Sequence, residues 1–150
     1  MEIRGQAEPA PLGIRVVAAI LDAVIVAVAW YLILWKWGDA AADGGVELTG
    51  TPALLLLLAT AAFWIVPEWL LGATPGKWAC DLQVATLTGG DISLSQSLKR
   101  NVLRLLDFLP FYVTGFVSAS LTPKRQRLGD LLAKTIVVSK KRVNRAATTQ

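Results

Sequence analysis

Apolar positions along this chain gather into two long runs and one short one, set apart by segments of different period. The first run extends from Val16 to Trp35, is opened by Arg15 and holds one internal charge, Asp22. It approaches the ~20 residues that a helix needs to cross a bilayer and predicts a first transmembrane helix at about 14–37. The second run, about 51–71, contains Leu54 to Leu58 and carries Pro67, Glu68 and Trp69 near its end, which predicts a second span. Between them, residues 38–50 hold glycine, alanine and the acids Asp39, Asp43 and Glu47 without a basic residue, the pattern of a short non-cytoplasmic loop. After Gly72 the period drops to two: Leu82, Val84 and Thr86 alternate with polar positions, Thr88-Gly89-Gly90-Asp91 signals a turn, and Ile92 and Leu94 resume. This predicts a small surface β-hairpin at about 80–94, which the β-branched run Thr135-Ile136-Val137-Val138 could join as a strand at 135–139. Ser95 to Leu106 returns to helical spacing, with Lys99, Arg100, Arg104 and Asp107 on one flank, as an interfacial helix requires. The uncharged run from Phe108 to Pro123 is 16 residues long and holds Pro110 and Gly115. That is short for an independent span and predicts a broken or re-entrant apolar helix at about 105–122.

The fold class is therefore a mainly α membrane protein, a single domain with flexible tails at 1–11 and 140–150. Composition agrees: 54% of residues are hydrophobic, 17% are charged and the mean hydropathy is +0.51, too apolar for an ordinary soluble domain. Ala40-Ala41-Ala42 could mimic a signal-peptide cleavage site, but the preceding run is longer than a signal core and reads as an uncleaved anchor. The net charge of +4 is concentrated towards the C-terminus, which suits anionic lipid headgroups better than nucleic acid. Basic residues cluster in three places: Arg4 and Arg15; Lys77, Lys99, Arg100 and Arg104; and the segment from Lys124 to Arg145. Two full spans place all three on the cytoplasmic side, with both termini inside; a third full crossing, which would put the C-terminus outside, is the alternative. One cysteine, Cys80, and no histidine exclude an internal disulfide, the usual zinc sites and Ser-His-Asp catalysis. No enzyme activity, cofactor or metal is expected.

Asp22 is the first candidate for function. A carboxylate near the bilayer centre costs about 2.5–3.5 kcal/mol on insertion scales, an amount the surrounding Val, Ile and Leu residues offset, and it is normally retained where protein or a wet cavity shelters it. Ala19, Ala23 and Ala27 beside it form a small-residue stripe that would admit a neighbouring helix. Asp22 is expected either to carry a proton or cation or to pair structurally with a base, with Arg100, Arg104 and Arg127 as the choices. Glu68 and Asp107, at the edges of apolar runs, read as interfacial, and Asp130 reads as a cap that locks a short C-terminal helix to the basic surface. Gly72 to Lys77 has the look of a phosphate loop, but its glycines are spaced too closely and Trp78 stands at the hydroxyl position, which excludes a Walker A site. Thr74-Pro75-Gly76 reads instead as a helix stop and turn with Lys77 at the headgroups.

Several blocks in fixed order resemble the RDD family of membrane proteins over about residues 12–139. They are Arg15 with Asp22, Thr74-Pro75-Gly76-Lys77, Gly89-Gly90, Arg100-Asn101 leading to Leu105-Leu106-Asp107-Phe108-Leu109-Pro110, and Gln126-Arg127-Leu128-Gly129-Asp130-Leu131-Leu132-Ala133. The arginine and two aspartates that name the family map to Arg15, Asp22 and Asp130. Gly129 stands where many members have histidine and Lys134 where glycine is usual, so no relay through that histidine carries over. The resemblance implies a prokaryotic inner (plasma) membrane protein associated with transport, its function largely unassigned. The expectation is a transporter, or a transporter component, for cations, protons or a small solute. Arg15, Asp22 and Asp130 are its pathway candidates, Arg15 and Asp22 its charge pair, and Arg100, Arg104, Asp107 and Arg127 its charge-network partners. Two spans and a hairpin enclose no path, so a homo-oligomer or a membrane partner subunit is expected. The alternative is a non-transporting scaffold or accessory subunit whose buried charges are structural.

Overall fold

The computed structural model describes residues 9–41, 43–107, 120, 122 and 125–140, with 105–107 by backbone alone. The re-entrant helix expected at 105–122 lies outside these residues, apart from its first three, which end a preceding helix, and Ser120 and Thr122. Both tails lie largely outside them as well.

Two long helices dominate, α1 (Leu12–Trp37) and α2 (Gly50–Leu71). Both are long and apolar enough to cross a membrane. Their burial is inverted relative to a soluble helix: α1 buries Arg15, Ala18 and Asp22, while Ile20, Val24 and Val28 are more than half exposed. α2 likewise buries Leu56 and Glu68 and exposes most of its leucines. Helices that turn their aliphatic side chains outward and their charges inward are built for lipid. Trp30, Tyr31, Trp35 and Trp37 are exposed at the far end of α1, where an interfacial belt requires them. The small-residue stripe is not the close contact: Ala23 and Ala27 are exposed, whereas Ala18, one position aside, is fully buried.

The loop after α1 contains a two-residue ribbon, β1 (Asp39–Ala40) paired antiparallel with β2 (Val46–Glu47). After α2, Gly72 takes a left-handed conformation at φ 67° and turns the chain into the short helix α3 (Pro75–Ala79). The strand β3 (Leu82–Thr86) follows, then α4 (Leu94–Asp107), α5 (Leu128–Leu132) and β4 (Thr135–Ser139). β3 pairs antiparallel with β4, from Leu82 opposite Ser139 to Thr86 opposite Thr135. The expected hairpin at 80–94 does not form. Its second arm is taken by a capping box: Ser93 N–H donates to Gln96 Oε1 (2.9 Å) and Gln96 N–H to Ser93 Oγ (3.2 Å), which starts α4 and ends any strand there. β3 then finds its partner in the β-branched run at 135–139. Leu82, Val84 and Val137 join Ala10, Ala18 and Ile92 in a small apolar core between this two-stranded sheet and the near end of α1.

α4 packs on α2 where Pro67 interrupts the backbone hydrogen bonding of that helix. The nearby carbonyls of Ile65 and Trp64 accept from Ser97 Oγ (2.8 Å) and Asn101 Nδ2 (3.4 Å), so polar side chains of α4 serve backbone groups beside the proline.

Candidate functional site

At the end of the spans formed by the start of α1 and the close of α2, five helices meet through charge. Arg15, on the first turn of α1, is 6% exposed and donates from Nη2 to Asp130 Oδ2 of α5 at 2.9 Å, and from Nη1 to the carbonyl of Arg125. Asp130 Oδ1 pairs with Arg100 Nη1 of α4 at 2.6 Å. Arg100 Nε donates to Glu68 Oε2 of α2 at 3.2 Å, and Glu68 Oε1 pairs with Lys77 of α3. The circuit returns to α1 through Asp22: Thr74 Oγ1 donates to Oδ2 at 2.5 Å and Gly76 N–H to Oδ1 at 2.7 Å. A ring of side chains thus ties α1, α5, α4, α2 and α3 together.

Local sequence explains each placement. Gly76 lies against α1 so closely that a Cβ would overlap the Ala18 carbonyl oxygen and stand 2.8 Å from the Asp22 carboxylate; glycine lets this turn seat on the helix. Gly129 packs on the α4 backbone, where a Cβ would stand 2.8 Å from the Arg100 carbonyl oxygen, so a side chain there would require α4 and α5 to move apart. Lys134, in the place where the family resemblance implies glycine, adopts a left-handed φ of 54° as the chain leaves α5 for β4. Asp130 also accepts the Arg127 backbone N–H at 3.2 Å, capping α5. Arg100 Nη1 reaches Thr135 Oγ1 as well (2.6 Å), which holds β4 to the ring. Arg104 lies 3.9 Å from Glu68 and over the Trp64 ring, 4.0 Å from its centroid.

Electrostatics follow the geometry. Burial alone would raise the Asp130 carboxyl, but the guanidiniums of Arg100, Arg15 and Arg127 hold it below its ordinary value. Burial would lower Arg100, yet Asp130 and Glu68 raise it. Lys77 is pushed down to about 8, first by burial; Glu68 opposes this, while Arg104 and Arg100 add to it.

Several expectations are corrected by this arrangement. Arg15 and Asp22 do not pair: seven residues set them roughly 10 Å apart along the axis, and each finds a different partner. Asp22 meets none of Arg100, Arg104 or Arg127 within 4.0 Å, because the Thr74 hydroxyl and the Gly76 amide occupy its two oxygens. Glu68, expected at the interface, is fully enclosed by protein at that end of α2, since Lys77, Arg100 and Arg104 converge on it. Lys77 turns inward to it and does not reach for headgroups. The Asp107 side chain lies outside the described residues. Sequence reasoning missed Glu68, Lys77, Thr74 and Gly76 as site residues; the retained carboxylate one turn from the end of α2 and the Thr-Pro-Gly-Lys block were the available signals.

The ring borders a cavity of about 30 Å³, room for one or two waters, with Asp22, Lys77, Arg100, Arg127 and Asp130 on its walls. Among the described residues, no three Cys, Asp or Glu side chains converge as a metal cage would require. A family model described as the RDD family matches residues 9–134. The chain belongs to the RDD family. It is thus a membrane-associated RDD protein with two candidate membrane helices, and Arg15 and Asp130, onto which the resemblance maps the family's arginine and second aspartate, form an ion pair. No curated protein and no solved structure matches the chain.

Proposed function

We propose that this RDD protein is a small transporter component of the prokaryotic inner membrane that exchanges protons or small cations at Asp22. One observation carries the reading. Asp22 is 1% exposed and lines the cavity, yet among the buried carboxylates of the described residues it alone lacks a basic partner within 4.0 Å. Glu68 and Asp130 are each held by two or more cations and serve as the frame. A membrane carboxylate that lines a cavity with room for water and is bound only through exchangeable hydrogen bonds is suited to hand a proton or cation on. The two spans of the described residues enclose no path, so the working unit is a homo-oligomer or a complex with another membrane subunit. Both termini face the cytoplasm in this proposal, because the described basic residues Arg15, Lys77, Arg100, Arg104 and Arg127 gather at the ring end.

A second reading, a non-transporting scaffold, is favoured by the mutual neutralisation around Glu68 and Asp130, which fixes five helices without any cargo. Reconstitution into liposomes separates the two: cation-coupled proton flux is expected from the wild type and not from Asp22→Asn, with the fold retained. Folded wild-type protein that passes no flux under any imposed gradient sinks the transport reading.

A further inference from the structure

Within the ring, three cations, Arg15, Arg100 and Lys77, balance three carboxylates, Asp130, Glu68 and Asp22. The cavity beside it is not balanced, because its described wall adds Arg104 and Arg127. Arg104 is engaged by Glu68 and Trp64. Arg127 differs: its backbone caps α5, but its guanidinium makes no ion pair within 4.0 Å among the described residues, although it lines the cavity and is only half-buried. Asp22 lines the same cavity but is 1% exposed, with both oxygens turned to the α3 turn. The rim is therefore the positive side.

We infer that the Arg127 rim of this cavity is a binding site for a phosphate group, carried by an anionic lipid headgroup or free as inorganic phosphate. The planar guanidinium offers a forked pair of donors that matches phosphate oxygens. The cavity, about 30 Å³, admits one or two oxygen atoms of such a group and leaves the remainder at the mouth. Its level suits a headgroup, since Arg15 lies on the first turn of α1 and Glu68 on the last turn of α2. The inference is independent of whether the protein carries ions.

The test uses the purified full chain in detergent, probed with phosphatidylglycerol, phosphatidylcholine and inorganic phosphate. Native mass spectrometry reads lipid retention, and calorimetry reads phosphate. The expected result is preferential retention of phosphatidylglycerol, or measurable phosphate binding, weakened about tenfold or more by Arg127→Gln. Thermal unfolding of that variant should match the wild type, because the side chain makes no ion pair within 4.0 Å among the described residues. Lipid retention without phosphate binding assigns the headgroup; phosphate binding with the same sensitivity assigns the free anion. Asp22→Asn, which removes a negative charge from the lining of the same cavity, should strengthen either. Failure of both probes to bind overturns the site, as does binding that folded Arg127→Gln leaves unchanged, since the contacts would then lie elsewhere on the basic surface.

Discussion

The two ends of the α1–α2 pair are held together by different physics. At the Trp-rich end, the polar link between the spans is the hydrogen bond from Trp30 Nε1 to Thr60 Oγ1, 2.9 Å long, and the neighbouring aliphatic side chains face outward. At the other end, a ring of ion pairs and hydrogen bonds recruits three further helices and, through Thr135, the sheet. Lipid tails are as apolar as leucine, so aliphatic burial gives the spans little reason to associate. Tertiary order is therefore concentrated where the charges are, and the far halves of the helices are held mainly by the bilayer.

The largest effect should come from the hub of the ring. Glu68→Gln leaves Lys77 and Arg100 buried beside a neutral amide, and removing one member of a buried ion cluster costs about 3–5 kcal/mol. The variant is expected to lose its cooperative unfolding transition in mild detergent, as followed by circular dichroism. A transition unchanged from the wild type would show that the ring contributes no more than the far end.

The same contrast decides what could be read from the chain. The spans were legible because lipid imposes a rule on composition and length: Val16 to Trp35 and Leu54 to Leu58 announce themselves. Thr135 to Val138 was legible as a strand by its β-branching, but not its register against Leu82–Thr86, which depends on contacts about fifty residues apart. The capping box at Ser93 and Gln96 stood in the sequence and outweighs the alternation of Ile92 and Leu94 that suggested a hairpin. Partner choice within the ring was not legible. Asp22 was expected to seek an arginine, yet a hydroxyl and an amide from a Thr-Pro-Gly turn satisfy it, and only the close approach allowed by Gly76 brings them there. Periodicity assigns residues to faces; it does not say which faces meet.

A smaller effect sharpens the comparison through pH. Burial pushes the Lys77 amine down to about 8 in the folded protein, from an ordinary value of 10.5. Between those values the unfolded chain still holds that proton, so it binds more protons than the folded state, and the contribution of Lys77 to stability rises with pH across this window. The gain is on the order of 2 kcal/mol. Denaturant unfolding in detergent at pH 8 and pH 10 should show the wild type gaining on Lys77→Met by about this amount. Parallel behaviour of the two would mean that the amine is not confined between Glu68 and the guanidiniums.

The smallest effect belongs to the Trp-rich end. Trp30→Phe removes the indole N–H but orphans nothing, because Thr60 Oγ1 still donates to the Leu56 carbonyl at 2.8 Å. Interhelical hydrogen bonds inside membranes average about 0.6 kcal/mol, so the variant should unfold within about 1 kcal/mol of the wild type in the assay that exposes Glu68→Gln. Its two spans should still insert, since insertion depends on apolar length and not on this contact. If Trp30→Phe instead proved as damaging as the loss of Glu68, the far halves of the spans would be held by protein contacts as tight as those of the ring. The division into a charge-locked end and a lipid-held end would then fail.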